Sequence, residues 1–168
     1  MGGMTAPCPI ALTMDVLGDR WSLVVLRDIM FGGRRTFRDL LSGSPEGIAS
    51  NILSARLKRL VAEGLLTKRP DPGHSQRVHY TLTAPAIALV PVMATLSAWG
   101  RAHRPGAGSA CSCGQLAQLD GAADWQAVMD ALTARHLADP EGGLTAPLPP
   151  ILARLATPPG RAQTETMP

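Results

Sequence analysis

Cysteine is scarce: 168 residues hold three, and so small and odd a number argues against a disulfide scaffold. No stretch approaches the roughly 18 uninterrupted apolar residues that span a bilayer, so no membrane partner is expected. The first residues lack the basic patch and apolar run of a secretory signal. Ala6 also stands where a myristoylation start requires Ser or Thr. These absences predict a cytoplasmic protein. Lysine is nearly missing too, since Lys58 and Lys68 are the only lysines among 16 cationic residues. With the richness in Ala, Gly and Pro, that marks a GC-rich coding sequence and carries no functional information. There is no H-E-x-x-H, no phosphate loop and no nucleophile elbow, so nothing supports an enzyme and no cofactor is expected. What the chain does have is 45% hydrophobic and 17% charged residues, which suffices for a core. Its length fits one ordinary domain with an appendage.

Charge is spread unevenly. Residues 1–104 carry 13 Lys/Arg against 7 Asp/Glu, whereas residues 105–168 carry 3 against 6. The first part is thus the one suited to a polyanion. Pro9 to Leu17 reads as a short helix ended by Gly18. Arg20 to Phe31 reads as a second, with Trp21, Val25 and Ile29 recurring every four residues beside Leu26. Thr36 is placed to cap a brief third helix reaching Leu41, and Ser42 to Pro45 reads as a turn. From about Ile48 to Glu63 the periodicity predicts a longer helix that Gly64 closes. Its Leu53, Leu57, Leu60 and Val61 share one face, while Asn51, Ala55 and Lys58 share the other, with Ser54 and Arg59 nearer the edge.

A hairpin is expected next, with strands Leu66 to Arg69 and Arg77 to Thr83 around a tip of residues 70–76. Val78, Tyr80 and Leu82 alternate with Arg77, His79 and Thr81. A helix from Ala84 to about His103, kinked at Pro91, ends the first region. Beyond residue 104 a Gly-, Ala- and Ser-rich linker leads to an amphipathic helix over Asp124 to Leu137, with Trp125, Val128, Met129 and Leu132 on one face. One or two turns over Ile151 to Leu155 and a disordered tail from Thr157 complete the extension.

Helix, helix, short helix, turn, polar-faced helix and two-stranded wing is the order of a winged helix-turn-helix. The fold class expected is therefore mainly α with a small antiparallel β-wing. A helix fits the major groove with its outward side chains at base edges, and a hairpin beside it can set cations on the backbone or in the minor groove. Asn51, Ser54 and Lys58 are the candidates for base-edge contact. Arg38, Arg56, Arg59, Arg69 and Arg77 are candidates for phosphates, with His74 at the wing tip and Gln76 able to serve either role.

Several ordered motifs carry a resemblance to the HxlR-type winged-helix regulators. They are Cys8-Pro9-Ile10, Leu17-Gly18-Asp19-Arg20-Trp21, Arg35-Thr36-Phe37-Arg38-Asp39-Leu40, Leu53-Ser54-Ala55-Arg56-Leu57, Glu63-Gly64-Leu65-Leu66, Val78-His79-Tyr80-Thr81-Leu82-Thr83 and Trp99. The resemblance implies a homodimer built by the first and last helices of the 1–104 domain. It also implies a two-fold symmetric DNA operator and control of nearby genes, here expected to be repression, in answer to reactive or small-molecule effectors. His79 stands where the family usually has an acidic residue, and Gln76 replaces a common wing proline. The alternative is a winged helix used for protein–protein contact, its basic face incidental.

Cys8 precedes Pro9 and so falls at the N-cap of the first helix, where unpaired N–H groups stabilise a thiolate. It is a candidate redox or electrophile sensor, a role the resemblance also implies for some members, set against a small residue that only packs. Cys111 and Cys113 form a single C-x-C pair, with His103 and His136 as distant helpers. Structural zinc normally takes four ligands from two pairs spaced C-x₂₋₄-C, so no metal is expected, and a local disulfide or an inert linker is the reading preferred.

Overall fold

The computed structural model describes residues 7–71, 73–105, 116, 119, 121–138 and 147–156. Helix α1 (Pro9–Leu17) has Pro9 in its first turn, where a missing N–H costs no helical bond. Gly18 closes it, its N–H donating to Met14 O. Only Leu17 of α1 is buried. Helix α2 (Ser22–Met30) is the opposite case: Val25, Leu26, Ile29 and Met30 are buried, and so are Arg27 and Asp28. Those two charges are satisfied locally. Arg27 pairs with Asp28 at 2.7 Å and with Glu46 at 2.6 Å, and Arg34 adds a contact to Asp28 at 3.4 Å. The Arg27 hydrogen bonds hold the Glu46 carboxyl at about 2 against its partial burial. The central helix is thereby tied to the turn that follows α3.

Thr36 caps helix α3 (Phe37–Gly43) as expected, accepting from the Asp39 N–H at 3.2 Å. Helix α4 (Ser50–Ala62) buries Leu53, Leu57 and Leu60 against α2 and α3. It ends in a paired cap, with Gly64 N–H on Val61 O and Leu65 N–H on Leu60 O. That cap needs a left-handed residue, and Gly64 has φ +71.

The wing is longer than alternation suggests. Strands β1 (Leu66–Asp71) and β2 (His74–Leu82) pair antiparallel, with Leu66 opposite Leu82 and Arg69 opposite His79. The register shifts between Pro70 and Asp71, so residues expected in the tip extend both strands. The outer edge of β2 is also occupied. Thr36 bridges His79, and the Tyr80 N–H donates to Arg35 O at 2.7 Å.

The single kinked helix expected over 84–103 is two helices, α5 (Ala84–Ile87) and α6 (Val90–His103). Pro91 cannot donate to Ile87 O, so the chain breaks at Ala88-Leu89 and restarts with the proline in the first turn of α6. Ile87, Val90 and Met93 are buried, while Leu96 and Trp99 are exposed.

In the extension, helix α7 (Ala122–Thr133) runs into a π-helical turn over Ala134–Ala138, and helix α8 (Pro150–Ala156) follows. Val128, Leu132, Leu152 and Leu155 are buried in the same apolar cluster as α2, α4 and α6. His136, in the π turn, is 1% exposed, and its Nδ1 accepts from the Leu82 N–H at 3.1 Å. The extension thus completes the edge of β2 with an imidazole. Residues 111 and 113, and the tail from 157, lie outside the described residues. Among those described, no helix is long and apolar enough to cross a membrane.

Candidate nucleic-acid interface

The leucines of α4 fix which side faces out. With Leu53, Leu57 and Leu60 inward, Asn51, Ala55 and Lys58 are exposed and Ser54 is half-buried. No carboxylate interrupts this face before Glu63. It offers an amide and a hydroxyl for hydrogen bonds, a cation, and at Ala55 room for close backbone approach. Ile52, which periodicity alone does not single out, is exposed on the same half of the helix and adds an apolar contact suited to a thymine methyl.

The remaining candidates divide by their surroundings. Arg38 is exposed in the first turn of α3. On the wing, Arg69, His74, Gln76 and Arg77 are exposed, and so is Lys68, a cation outside the alternating stretch. Arg77 lies 3.5 Å from Asp71, whose carboxylate is held below its ordinary range chiefly by a 2.8 Å hydrogen bond with His79 and then by the Gly73 N–H. In this chain, then, the wing acid sits on β1 and the histidine on β2. Arg56 and Arg59 behave differently. Arg56 is half-buried and pairs with Asp19 at 2.9 Å, and Arg59 donates to the backbone oxygen of Asp15.

The base of the wing is strongly cationic. Buried Arg35 donates to Thr81 Oγ1 at 2.7 Å. Burial first, and then the charges of Arg135 and Arg69, bring its guanidinium down to about 10. Away from the wing, Cys8 is the N-cap of α1 and exposed, and the N–H groups of Ala11 and then Ile10 draw its thiol below the ordinary value. His136, a helper for the cysteine pair on spacing alone, is instead committed to Leu82.

The profile of the HxlR-like helix-turn-helix family matches residues 16–107, from within α1 to just past α6. This chain belongs to that family. Among its relatives, an uncharacterised HTH-type transcriptional regulator of Synechocystis sp. is 36% identical over 93 residues, covering 55% of this chain and 67% of that protein. One from Mycobacterium tuberculosis, described in the same terms, is 33% identical over 96 residues, and the match spans 57% of this chain and 59% of the relative. The crystal structure of PA1607, described as a candidate transcription factor, is similar with a TM-score of 0.54 and 35% identity, over 60% of this chain and 70% of that one. The α7–α8 extension lies outside the span that the HxlR-like profile matches.

Proposed function

We propose that the protein is a sequence-specific transcription regulator that binds duplex DNA as a homodimer and represses nearby genes. The observation that carries this is the outward face of α4: exposed, free of carboxylates and bearing Asn51, Ala55 and Lys58, in a chain of the HxlR-like helix-turn-helix family. Asn51, Ser54 and Lys58 meet base edges in the major groove. Arg38, Arg69, Arg77 and His74 meet phosphates, and Gln76 serves beside them.

Dimerisation uses α1 and α6. Ile10 is 73% and Trp99 58% exposed, and Leu12, Met14, Val92 and Leu96 are exposed with them. Apolar surface of that kind calls for a partner, and a second copy supplies both helices in a self-complementary arrangement. A two-fold operator follows from such symmetry.

Cys8 gives the regulator a way to respond. An exposed thiol with a lowered pKa reacts with oxidants and electrophiles, and on α1 its modification alters the proposed dimer contact. A small apolar effector is a second reading, favoured by a cleft of about 210 Å³ between α2 and α6 lined by Leu23, Val24, Met93, Leu96 and Leu116. Cys8→Ser separates the two, because an apolar-ligand response survives the substitution and a thiol response does not.

The experiment that tests DNA binding is titration of duplex operator fragments against salt. A dimer neutralising about 6–10 phosphates loses roughly 10³–10⁵ in affinity between 50 and 200 mM salt. A shallow salt dependence with no sequence preference would instead assign the winged helix to protein–protein contact.

A further inference from the structure

Two arginines of α4 lie off both the leucine core and the centre of the outward face, Arg56 half-buried and Arg59 exposed. They lie on the flank of the helix that turns toward the junction of α1 and α2, one turn apart. Arg56 reaches Asp19 Oδ2 with Nη1 at 2.9 Å. Asp19 is itself held firmly: its Oδ1 accepts from the N–H groups of Trp21 at 2.8 Å and Ser22 at 3.0 Å, and its Oδ2 from the Ser22 hydroxyl. Partial burial raises the Asp19 carboxyl. The Ser22 hydroxyl, those two amides and Arg56 outweigh it and hold the group below its ordinary range. Asp19 is therefore a charged, oriented anchor at the start of the central helix.

Arg59 makes the second contact, from its Nη2 to the backbone oxygen of Asp15 in the last turn of α1. A cation there satisfies one of the carbonyls that a helix C-terminus leaves unpaired and suits the negative end of its dipole. Its remaining neighbour is Glu63, at 4.0 Å from Nε. Both guanidinium groups thus have intramolecular partners, Arg56 a carboxylate and the still exposed Arg59 a carbonyl.

We infer that Arg56 and Arg59 are positioning residues, which latch α4 to α1 and to the α1–α2 turn, rather than phosphate contacts. The energetics favour this division. For Arg56 to reach a phosphate it would leave the Asp19 carboxylate without its cation beside the polyanion, exchanging one anionic partner for another and adding a repulsion, whereas the more distant Arg77 can leave Asp71 to its 2.8 Å hydrogen bond with His79. Arg38 has no acidic partner among the described residues, so it gains a phosphate without that loss. The latch has a geometric consequence as well. If α1 joins the two copies, as the proposed function has it, Asp15 and Asp19 lie at the end of the dimer helix, and Arg56 and Arg59 fix where α4 sits relative to it. They would then set the separation of the two α4 helices, and so the half-site spacing that the dimer accepts.

Salt dependence separates positioning from phosphate contact. Operator affinity is measured against salt for the wild type, Arg56→Ala, Arg59→Ala and Arg38→Ala, with Arg56→Gln and Arg59→Gln as milder variants should either alanine variant fail to fold. Each lost phosphate contact lowers the log–log slope by about 0.9, or about 1.8 for a dimer. The expected result is that Arg38→Ala lowers the slope, while Arg56→Ala and Arg59→Ala bind about 10-fold more weakly at fixed salt with the wild-type slope. Adding Asp19→Asn to Arg56→Ala should cost little more than either change alone, because the pair acts as a unit. A slope reduced in the Arg56 and Arg59 variants as in Arg38→Ala overturns the inference, and so does unchanged affinity. A wild type with no steep slope overturns the DNA reading itself, a separate and visible failure.

Discussion

Acidifying the protein from pH 7 to pH 5 tests how the extension is docked, because the His136 side chain joins it to the wing. The ring is buried and accepts from the Leu82 N–H at 3.1 Å. Burial first, then the positive charges of Arg35 and Arg135, push its pKa from 6.5 down to about 3. The folded chain therefore keeps His136 neutral across this range, while the unfolded chain takes up a proton below 6.5. Since the folded value is the depressed one, the contribution is complete above 6.5 and is lost as pH falls toward about 3. One pH unit inside that window is worth about 1.4 kcal/mol, so the step from pH 7 to 5 removes about 2 kcal/mol. In urea, with a slope of about 1–3 kcal/mol per molar, the midpoint falls by about 1 M. His136→Gln keeps an acceptor for Leu82 but has no proton to bind. Its midpoint should move less than that of the wild type by this amount, and the difference isolates His136 from His74, His79 and His103, which both chains share. Equal pH dependence in the two chains would refute the reasoning.

Two further outcomes follow from single residues. Gly64→Ala places a side chain at φ +71, where no heavy atom lies within 4 Å of the new Cβ. The cost is thus purely conformational, about 1–2 kcal/mol, and equilibrium unfolding reads it; a neutral substitution would show that the paired cap of α4 does not need glycine. Alkylation of Cys8 followed against pH should give an apparent pKa below that of an unperturbed thiol, because the Ala11 and Ile10 N–H groups face the sulfur. An ordinary or raised value would remove the thiol-sensing reading.

Local pattern accounts for much of this architecture. The spacing of Leu53, Leu57 and Leu60 places α4 and its outward face, Thr36 marks the start of α3, and Gly64 marks the end of α4. Each of these rests on neighbours within a turn or two of helix. The destinations of Arg56 and Arg59 are of another kind. Periodicity puts Arg59 near the edge of α4 and charge alone singles out Arg56, but Asp19 and Asp15 belong to the α1–α2 junction, and only the packed structure brings them there. The same holds for Arg27, whose charge would read as solvated were Asp28 and Glu46 not beside it. The docking of His136 on Leu82 joins two elements with no shared sequence pattern. Pro91 signals a break, yet its missing donor moves that break upstream to Ala88-Leu89. The wing outruns its alternating stretch because backbone pairing continues through Asp71 and from His74, whatever their side chains.

A two-stranded ribbon is an open template for any chain that can lie alongside it. Here the outward amides of β2 near its base are taken, Tyr80 by Arg35 and Leu82 by a histidine ring from the far end of the molecule. Strand addition at that edge is closed while both partners hold, and lifting the extension away would free the Leu82 amide but not that of Tyr80. Growth of the sheet from one molecule into the next through this edge of β2 is thereby blocked at the root of the wing.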